Sequence, residues 1–430
     1  MSSNPTAARV PELDLAGRQG HRATLTFSRW KTRLSAIIPP VDACWNEPLA
    51  TRAVNRIARA RIRVGHEWQR LKGAGSGSGP TVVGCYNTSN VGDSSFATVL
   101  KALSAERGAG FDQASYGAVS PSQWSRPLLI GGGGLLNGQV ETPLTRLLLE
   151  PRRSRTAPLA MVSIATSYGV APLRDELKAA LSSARLLAVR DSVTANWLQA
   201  ELPGAAVVQH PDIAFLLPEL AGWRAPARQA GTIGINIMPV LMERTGGAWR
   251  PKKSLSAAFH RASPRVAAQG TATAEAYLSI VRQTVIALVQ RGHRVVHVPF
   301  AMEDDGLARA LLQGTGIAFN PFSEEPHRVL TAVASCEGFI ATRFHGHVFA
   351  LATGTPLHSL PYSDKCSLLL SDLGLPPAPD EPADWAQRTG DAISRLQQAD
   401  AALSLPQSRR TALAAAARGA ATRAIFAVAE

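Results

Sequence analysis

From residue 80 onward, short apolar runs of strand length alternate with segments of helical length, and that rhythm excludes most folds. Thr81–Cys85, Pro127–Ile130, Leu159–Ile164 and Arg185–Val189 read as buried strands, with helices over Ser94–Glu106 and Ser192–Leu202. Such an alternation argues for a parallel sheet covered by helices on both faces. A Pro- and Ala-rich stretch, Leu217 to Gly231, reads as a connection between two units of this kind. In the second series Thr232–Ile237, Arg294–Val298, Gly338–Ala341 and Leu357–Leu360 are the expected strands, and Ala274–Arg291 and Glu325–Ala334 the helices. A long basic loop is expected from Pro239 to Gly270, and a final Ala-rich helix from about Pro406 to Val428. The expected class is α/β, with units at 80–222 and 231–405 and a C-terminal helix at 406–430.

The N-terminal 79 residues are of another kind. Of a formal net charge of +13, residues 1–80 carry +8, from 13 Lys/Arg against 5 Asp/Glu. Residues 1–50 show little periodicity. In 51–72, Val54, Ile57, Val64, Trp68 and Leu71 form a helical stripe among seven cations. Residues 73–79 read as a flexible Gly/Ser linker. A basic amphipathic helix suits peripheral association with an anionic membrane face; packing on the protein's own sheet and docking on a partner protein are its alternatives. The pattern calls for no nucleic acid. No uninterrupted apolar run reaches the roughly 18 residues of a membrane span. The four cysteines, Cys44, Cys85, Cys336 and Cys366, have no metal-ligand spacing, so a reduced, cytoplasmic setting is expected. No metal and no cofactor are expected.

The densest chemistry lies in Arg343-Phe344-His345-Gly346-His347, followed by an apolar helix and the stop Gly354-Thr355-Pro356. The apolar run before it places Arg343 and His345 at a strand's carboxyl end and a helix's start, the crevice where open α/β sheets bind ligands. Free N–H groups at the helix start suit an anion.

These residues, with Gly84 to Asp93, Gly131-Gly132-Gly133-Gly134 and Val189-Arg190-Asp191-Ser192 in the same order, resemble the polysaccharide pyruvyl transferases over roughly residues 80 to 375. The resemblance implies two Rossmann-like domains facing a cleft, as in glycosyltransferases of type B. It implies phosphoenolpyruvate as the donor and a saccharide acceptor, lipid-linked where the membrane reading holds. The reaction implied is formation of a cyclic ketal in cell-surface polysaccharide synthesis. Arg343 matches a donor-binding arginine and is suited to grip a phosphate or carboxylate as a two-point fork. His345 matches a catalytic histidine. Arg190 matches a donor-binding residue of the first domain, Lys365 a point charge for the phosphate, and Asp212 an acidic position that would orient a sugar hydroxyl.

Read by themselves, Arg343 with His345 fit a salt bridge beside a core histidine, Arg190 fits a surface arginine capping the sheet with Ser192 as the helix N-cap, and Lys365 fits a solvated first-turn lysine. Asn90-Val91-Gly92-Asp93 faces the cleft, where Asp93 is either a base for an acceptor hydroxyl or a helix cap. Gly133, within the glycine run, suits a phosphate loop or a tight turn against the acceptor equally. His347 points away from His345 on a helix and is the weaker donor ligand. Asp304-Asp305 reads as a solvated loop or helix cap rather than a metal site. Two other functions stay open. A nucleotide-sugar glycosyltransferase would share the fold, although no clear acid near the second unit's strand ends is available to hold a ribose. A non-catalytic module of an assembly complex would account for Asn87 and Ser94, which depart from the family's usual loop.

Overall fold

The computed structural model describes residues 45–49, 51–53, 56, 57, 60 and 79–429, except 87–88, 109, 117–118, 120–122, 137–141, 152, 155, 167–169, 246–247, 256–259, 261–263 and 399–401. Residues 1–44 with Cys44, the stripe residues Val54, Val64, Trp68 and Leu71, the linker 73–78 and Asn87 lie outside the described residues.

The chain begins with strand β1 (Trp45–Asn46) and continues β2 (Thr81–Gly84), helix α1 (Val91–Ala105), β3 (Asp112–Ser115), β4 (Leu128–Leu136), α2 (Pro143–Leu149), β5 (Leu159–Thr166), α3 (Asp175–Ser182), β6 (Leu186–Val189), α4 (Ser192–Glu201) and β7 (Val207–Gln209). After a 3-10 segment, Ile213–Glu219, come β8 (Gln229–Ile235), β9 (Met242–Thr245), β10 (Ala248–Pro251), α5 (Pro264–Gln290), β11 (Arg294–His297), α6 (Met302–Leu311), β12 (Ala318–Phe319) and α7 (Pro326–Ala334). The remaining elements are β13 (Cys336–Ala341), α8 (Phe344–Thr353), β14 (Leu357–Ser359), α9 (Asp364–Asp372), α10 (Trp385–Leu396) and α11 (Gln407–Ala429).

Two parallel sheets result. The first has six strands in the order β3-β2-β4-β5-β6-β7, the second five in the order β12-β11-β8-β13-β14. Both are doubly wound, and each reverses direction once: between β2 and β4, and between β8 and β13. Loops leaving the strands at a reversal diverge and open a crevice. Asn90, Asp93 and Gly133 sit at the first reversal, Arg343 at the second.

Apolar side chains form three clusters. One lies between the sheets and joins Phe96, Leu100, Ile213, Leu216, Val333, Phe349 and the alanine face of α11. The others cover the outer faces of the second and first sheets, around Tyr277 and Trp385 and around Met161 and Trp197. By length and composition α11 suffices to cross a membrane, although Arg418 and Arg423 interrupt its apolar run. Its Ala414, Ala417, Ala421 and Ala424 are buried in the central cluster.

Three sequence expectations change. The glycine run is not a loop after a short strand: β4 continues through it to Leu136, pairing with β5. Glycines carry no apolar pattern, so the strand's true length was hidden. The expected loop from Pro239 to Gly270 holds the β9–β10 hairpin and the first turns of α5, which kinks at Gly270. Finally, the N-terminal extension is not separate through residue 79. β1 adds to the hairpin at β10, and Glu47 is buried there in an ion pair with Arg244.

Candidate active site

Loops from both sheets meet around an open pocket with about 410 Å³ of empty space. It is lined by Asn90 and Asp93 at the start of α1, Gly133 and Gly134 of β4, Arg190 after β6, Arg343, Phe344 and His345 at the start of α8, and Tyr362 and Lys365 around the start of α9. Several helix starts therefore point their N–H ends at one space, which favours an anion. A short antiparallel bridge ties the two sheets together beside the pocket: Val91 N–H donates to the Phe300 carbonyl (2.8 Å) and Met302 N–H to the Ser89 carbonyl (3.2 Å). Asn90 caps α1 through its side-chain oxygen, which accepts from Gly92 N–H, while its amide donates to Asp93 Oδ2 at 2.8 Å.

Arg343 is the most constrained group. Its Nε donates to both Asp304 oxygens at 2.7–2.9 Å, and its Nη2 to Asp304 Oδ1 (2.7 Å) and Glu303 Oε1 (2.9 Å). Its backbone N–H donates to Asn236 Oδ1 (2.9 Å), and Asn236 in turn donates to Asp304 Oδ2 at 3.2 Å. Asp304 also accepts the Phe300 and Ala301 N–H groups, which makes it the cap of α6. Burial pushes the Asp304 carboxyl up to about 6, while Arg343 and the donors around it pull the other way. Burial alone would lower Arg343; the Asp304 and Glu303 carboxylates outweigh it and hold the guanidinium above its usual range. The two-point fork expected to grip a ligand is therefore directed at Asp304, and only Nη1 is left for one. Glu303 and Asp304 are also the acids that looked missing from the second sheet's strand ends, and both are tied to Arg343.

His345 is 8% exposed and ringed by Phe96 and Phe344, each with its centroid 5.3 Å away, and by Phe349. Gly92 presses against the imidazole: a Cβ there would lie 2.0 Å from Nδ1. Burial first, then the nearby cations Arg190, Lys365 and Arg343, lower its pKa to about 3 against the pull of Asp212. The imidazole is therefore neutral at ordinary pH. Asp93 is complementary. Burial raises its carboxyl to about 6, even though Arg190, Lys365, Arg343 and Asn90 lower it. It retains a proton into the range where a general acid is useful.

Arg190 Nη1 donates to Asp212 Oδ2 at 2.9 Å, and its guanidinium lies 4.1 Å above the Phe344 ring. Lys365 stands 4.7 Å over the Tyr362 ring and makes no ion pair among the described residues. Gly132 has φ +76°, and a Cβ on it would lie 1.9 Å from the Phe96 ring. Its neighbours Gly133 and Gly134 form the pocket wall. The run thus lies within a strand, packs closely against Phe96 and supplies a pocket wall.

Two expected ligands stay out of the pocket. His347 is fully buried; its Nδ1 donates to the Arg343 carbonyl and its Nε2 accepts from Ser359, and burial lowers it to about 4. Asp212, 1% exposed, meets Arg190 and His345 instead of the pocket space. Asp304, Glu303, Phe344 and Tyr362 were not singled out for the site by sequence. The adjacent carboxylates at the start of a helix were the only signal for the first two.

The crevice between the two parallel sheets thus gathers three cations, a carboxyl raised by burial and a neutral imidazole around one space. Residues 90–364 match the sequence profile of the polysaccharide pyruvyl transferases, and the chain belongs to that family. No curated protein matches the chain by sequence. Among solved structures, it is similar to a functionally uncharacterised protein, KP1_0663, from Klebsiella pneumoniae subsp. pneumoniae NTUH-K2044, at 11% identity and a TM-score of 0.36, over 73% of this chain and 93% of that one.

Proposed function

We propose that the chain moves a pyruvyl group from phosphoenolpyruvate to two hydroxyls of a saccharide, forming a cyclic ketal in cell-surface polysaccharide synthesis. The observation that carries the reading is the meeting of Arg190, Arg343 and Lys365 with Asp93 and a neutral His345 around one pocket. The donor has a phosphate and a carboxylate; Lys365 and the remaining Nη1 of Arg343 would meet that charge, with Arg190 beside them in the pocket lining. Protonated Asp93 gives its proton to the methylene carbon of the enol, and the charge appears on the carbon bearing the phosphate. One acceptor hydroxyl attacks that carbon and its proton passes to His345. The C–O bond to phosphate then breaks with its electron pair, and His345 returns the proton to the leaving phosphate. The second hydroxyl closes the ring, and its proton restores Asp93. The products are the ketal and inorganic phosphate, with both catalytic groups reset.

In this reading the two sheets are the cores of two Rossmann-like domains, 80–222 and 231–405, facing a cleft as in glycosyltransferases of type B. Residues 51–72 would hold the protein at the cytoplasmic membrane face near lipid-linked acceptors; the exposure of Leu49 and Ile57 supports this. The test is incubation of the full chain with phosphoenolpyruvate and a panel of saccharides, following phosphate release and the ketal methyl signal by NMR. Phosphate release that depends on acceptor supports the reading. Thermal stabilisation by nucleotides but not by phosphoenolpyruvate, with no ketal from any acceptor, overturns it in favour of a nucleotide-sugar enzyme.

A further inference from the structure

Asp212 is a buried carboxylate with no ligand to bind, set between two groups that face the pocket. Its Oδ1 accepts the Ala214 N–H at 2.9 Å and its Oδ2 accepts Arg190 Nη1 at 2.9 Å. Oδ2 is also 3.8 Å from His345 Nε2, which is buried without a hydrogen-bond partner. An unsatisfied N–H at that depth is costly, and a shift of under an ångström would close it onto the carboxylate. The other ring nitrogen, Nδ1, is on the Gly92 side.

The segment carrying Asp212 is held from below. His210 Nδ1 donates to the Pro211 carbonyl (2.5 Å), and its Nε2 accepts Ser163 N–H (3.3 Å), so this imidazole is neutral with its proton on Nδ1. Ser163 Oγ accepts Ile213 N–H at 2.9 Å. Ser163 itself has φ +54°, at the register shift in β5. A non-glycine residue held in that region is strained and persists only where its surroundings over-determine it. Here the strain aims the serine at the backbone next to Asp212.

We propose that Asp212 is a positioning residue: it fixes Arg190 against the pocket and keeps the proton of neutral His345 on Nε2, which leaves Nδ1 as the base. When Nδ1 takes a hydroxyl proton, the Nε2–H faces a carboxylate able to stabilise the imidazolium. This is the role a buried carboxylate plays for a catalytic histidine in other folds, where the amide replacement leaves geometry intact but disfavours the useful tautomer. The kinetic part of the inference rests on the pyruvyl-transfer reading; the tautomer part does not.

Two measurements separate them. The first uses the full chain labelled with ¹⁵N-histidine, with the His345 signal assigned by its loss in His345→Gln. Wild type is expected to show the Nε2–H tautomer, and Asp212→Asn a shift toward Nδ1–H. A wild-type Nδ1–H tautomer, or an unchanged tautomer in Asp212→Asn, overturns the proposal whatever the enzyme's substrate. The second is steady-state phosphate release from phosphoenolpyruvate. Asp212→Asn is expected to lower kcat by at least a hundredfold and to raise the donor KM through Arg190, with Asp212→Glu restoring part of kcat. A change in KM alone, with kcat intact, overturns the tautomer role. Where wild type releases no phosphate with any acceptor, the functional reading fails, and the NMR result still decides the role of Asp212. Circular dichroism of each variant confirms that it folds, and Asp212→Glu is the second variant where Asp212→Asn does not.

Discussion

The floor and the rim of the pocket are built by different rules. On the floor, Arg343 is clamped by Asp304, Glu303 and Asn236, and Arg190 by Asp212 and the Phe344 ring. At the rim, Lys365 is steadied by the Tyr362 ring alone. The floor groups are oriented before any ligand arrives, so little is lost in fixing them during reaction. The rim cation keeps its rotamer freedom and its full set of donors for the ligand. On the proposed function, a floor residue would therefore carry stability and chemistry together, a rim residue chiefly affinity.

The sharpest way to break this contrast is Arg343→Ala. It strands Asp304, which is 0% exposed, and the variant is expected to lose about 3–5 kcal/mol of stability along with turnover. Urea unfolding reads the first and phosphate release the second; stability equal to wild type would show that the clamp is not structural. Next is His345→Ala. From sequence, a polar group at a helix start supports little packing, and activity alone would fall. Within its cage of Phe96, Phe344 and Phe349, the imidazole fills space, and its removal is expected to cost about 2–4 kcal/mol as well as turnover. An unchanged melting curve would contradict that packing.

Lys365→Ala tests the rim. Its donor KM is expected to rise about tenfold, equivalent to about 1.4 kcal/mol, with melting within a degree or two of wild type. A large melting loss would erase the distinction between rim and floor. The last test concerns Asp93, whose folded-state pKa is raised to about 6 from 3.8. A raised carboxyl favours the folded state at low pH, and that contribution is lost as pH climbs from about 4 through about 6. Asp93→Asn lacks this loss, so it should gain on wild type between pH 4 and pH 7.5 in parallel urea titrations. An equal difference at both pH values would mean the carboxyl is not perturbed.

Much of the fold was legible because buried parallel strands are written as continuous apolar runs. Leu186–Val189 is such a run and Cys336–Ala341 a mostly apolar one; Arg190 follows the first directly and Arg343 comes one residue after the second, beyond Thr342. What stayed hidden shares one cause: the deciding partner is distant in sequence. Asp304 becomes the clamp of an arginine 39 positions away, and Asp212 the partner of one 22 positions away. No local pattern separates such carboxylates from solvated ones. The true length of β4 was hidden for another reason, since its glycines erase the period that marks a strand.

The bridge between Asn90 and Ala301 has a mechanical consequence. It joins the sheets through backbone hydrogen bonds, three residues from Asp93 on one side and three from Asp304 on the other. A joint at that point acts as a fulcrum. Any rocking of one sheet against the other would move atoms in proportion to their distance from it, so Asp93 and Asp304 beside it would move least. In the proposed reaction a saccharide would then enter and leave at the far edge of the crevice, while the spacing between Asp93 and the clamped Arg343 is preserved.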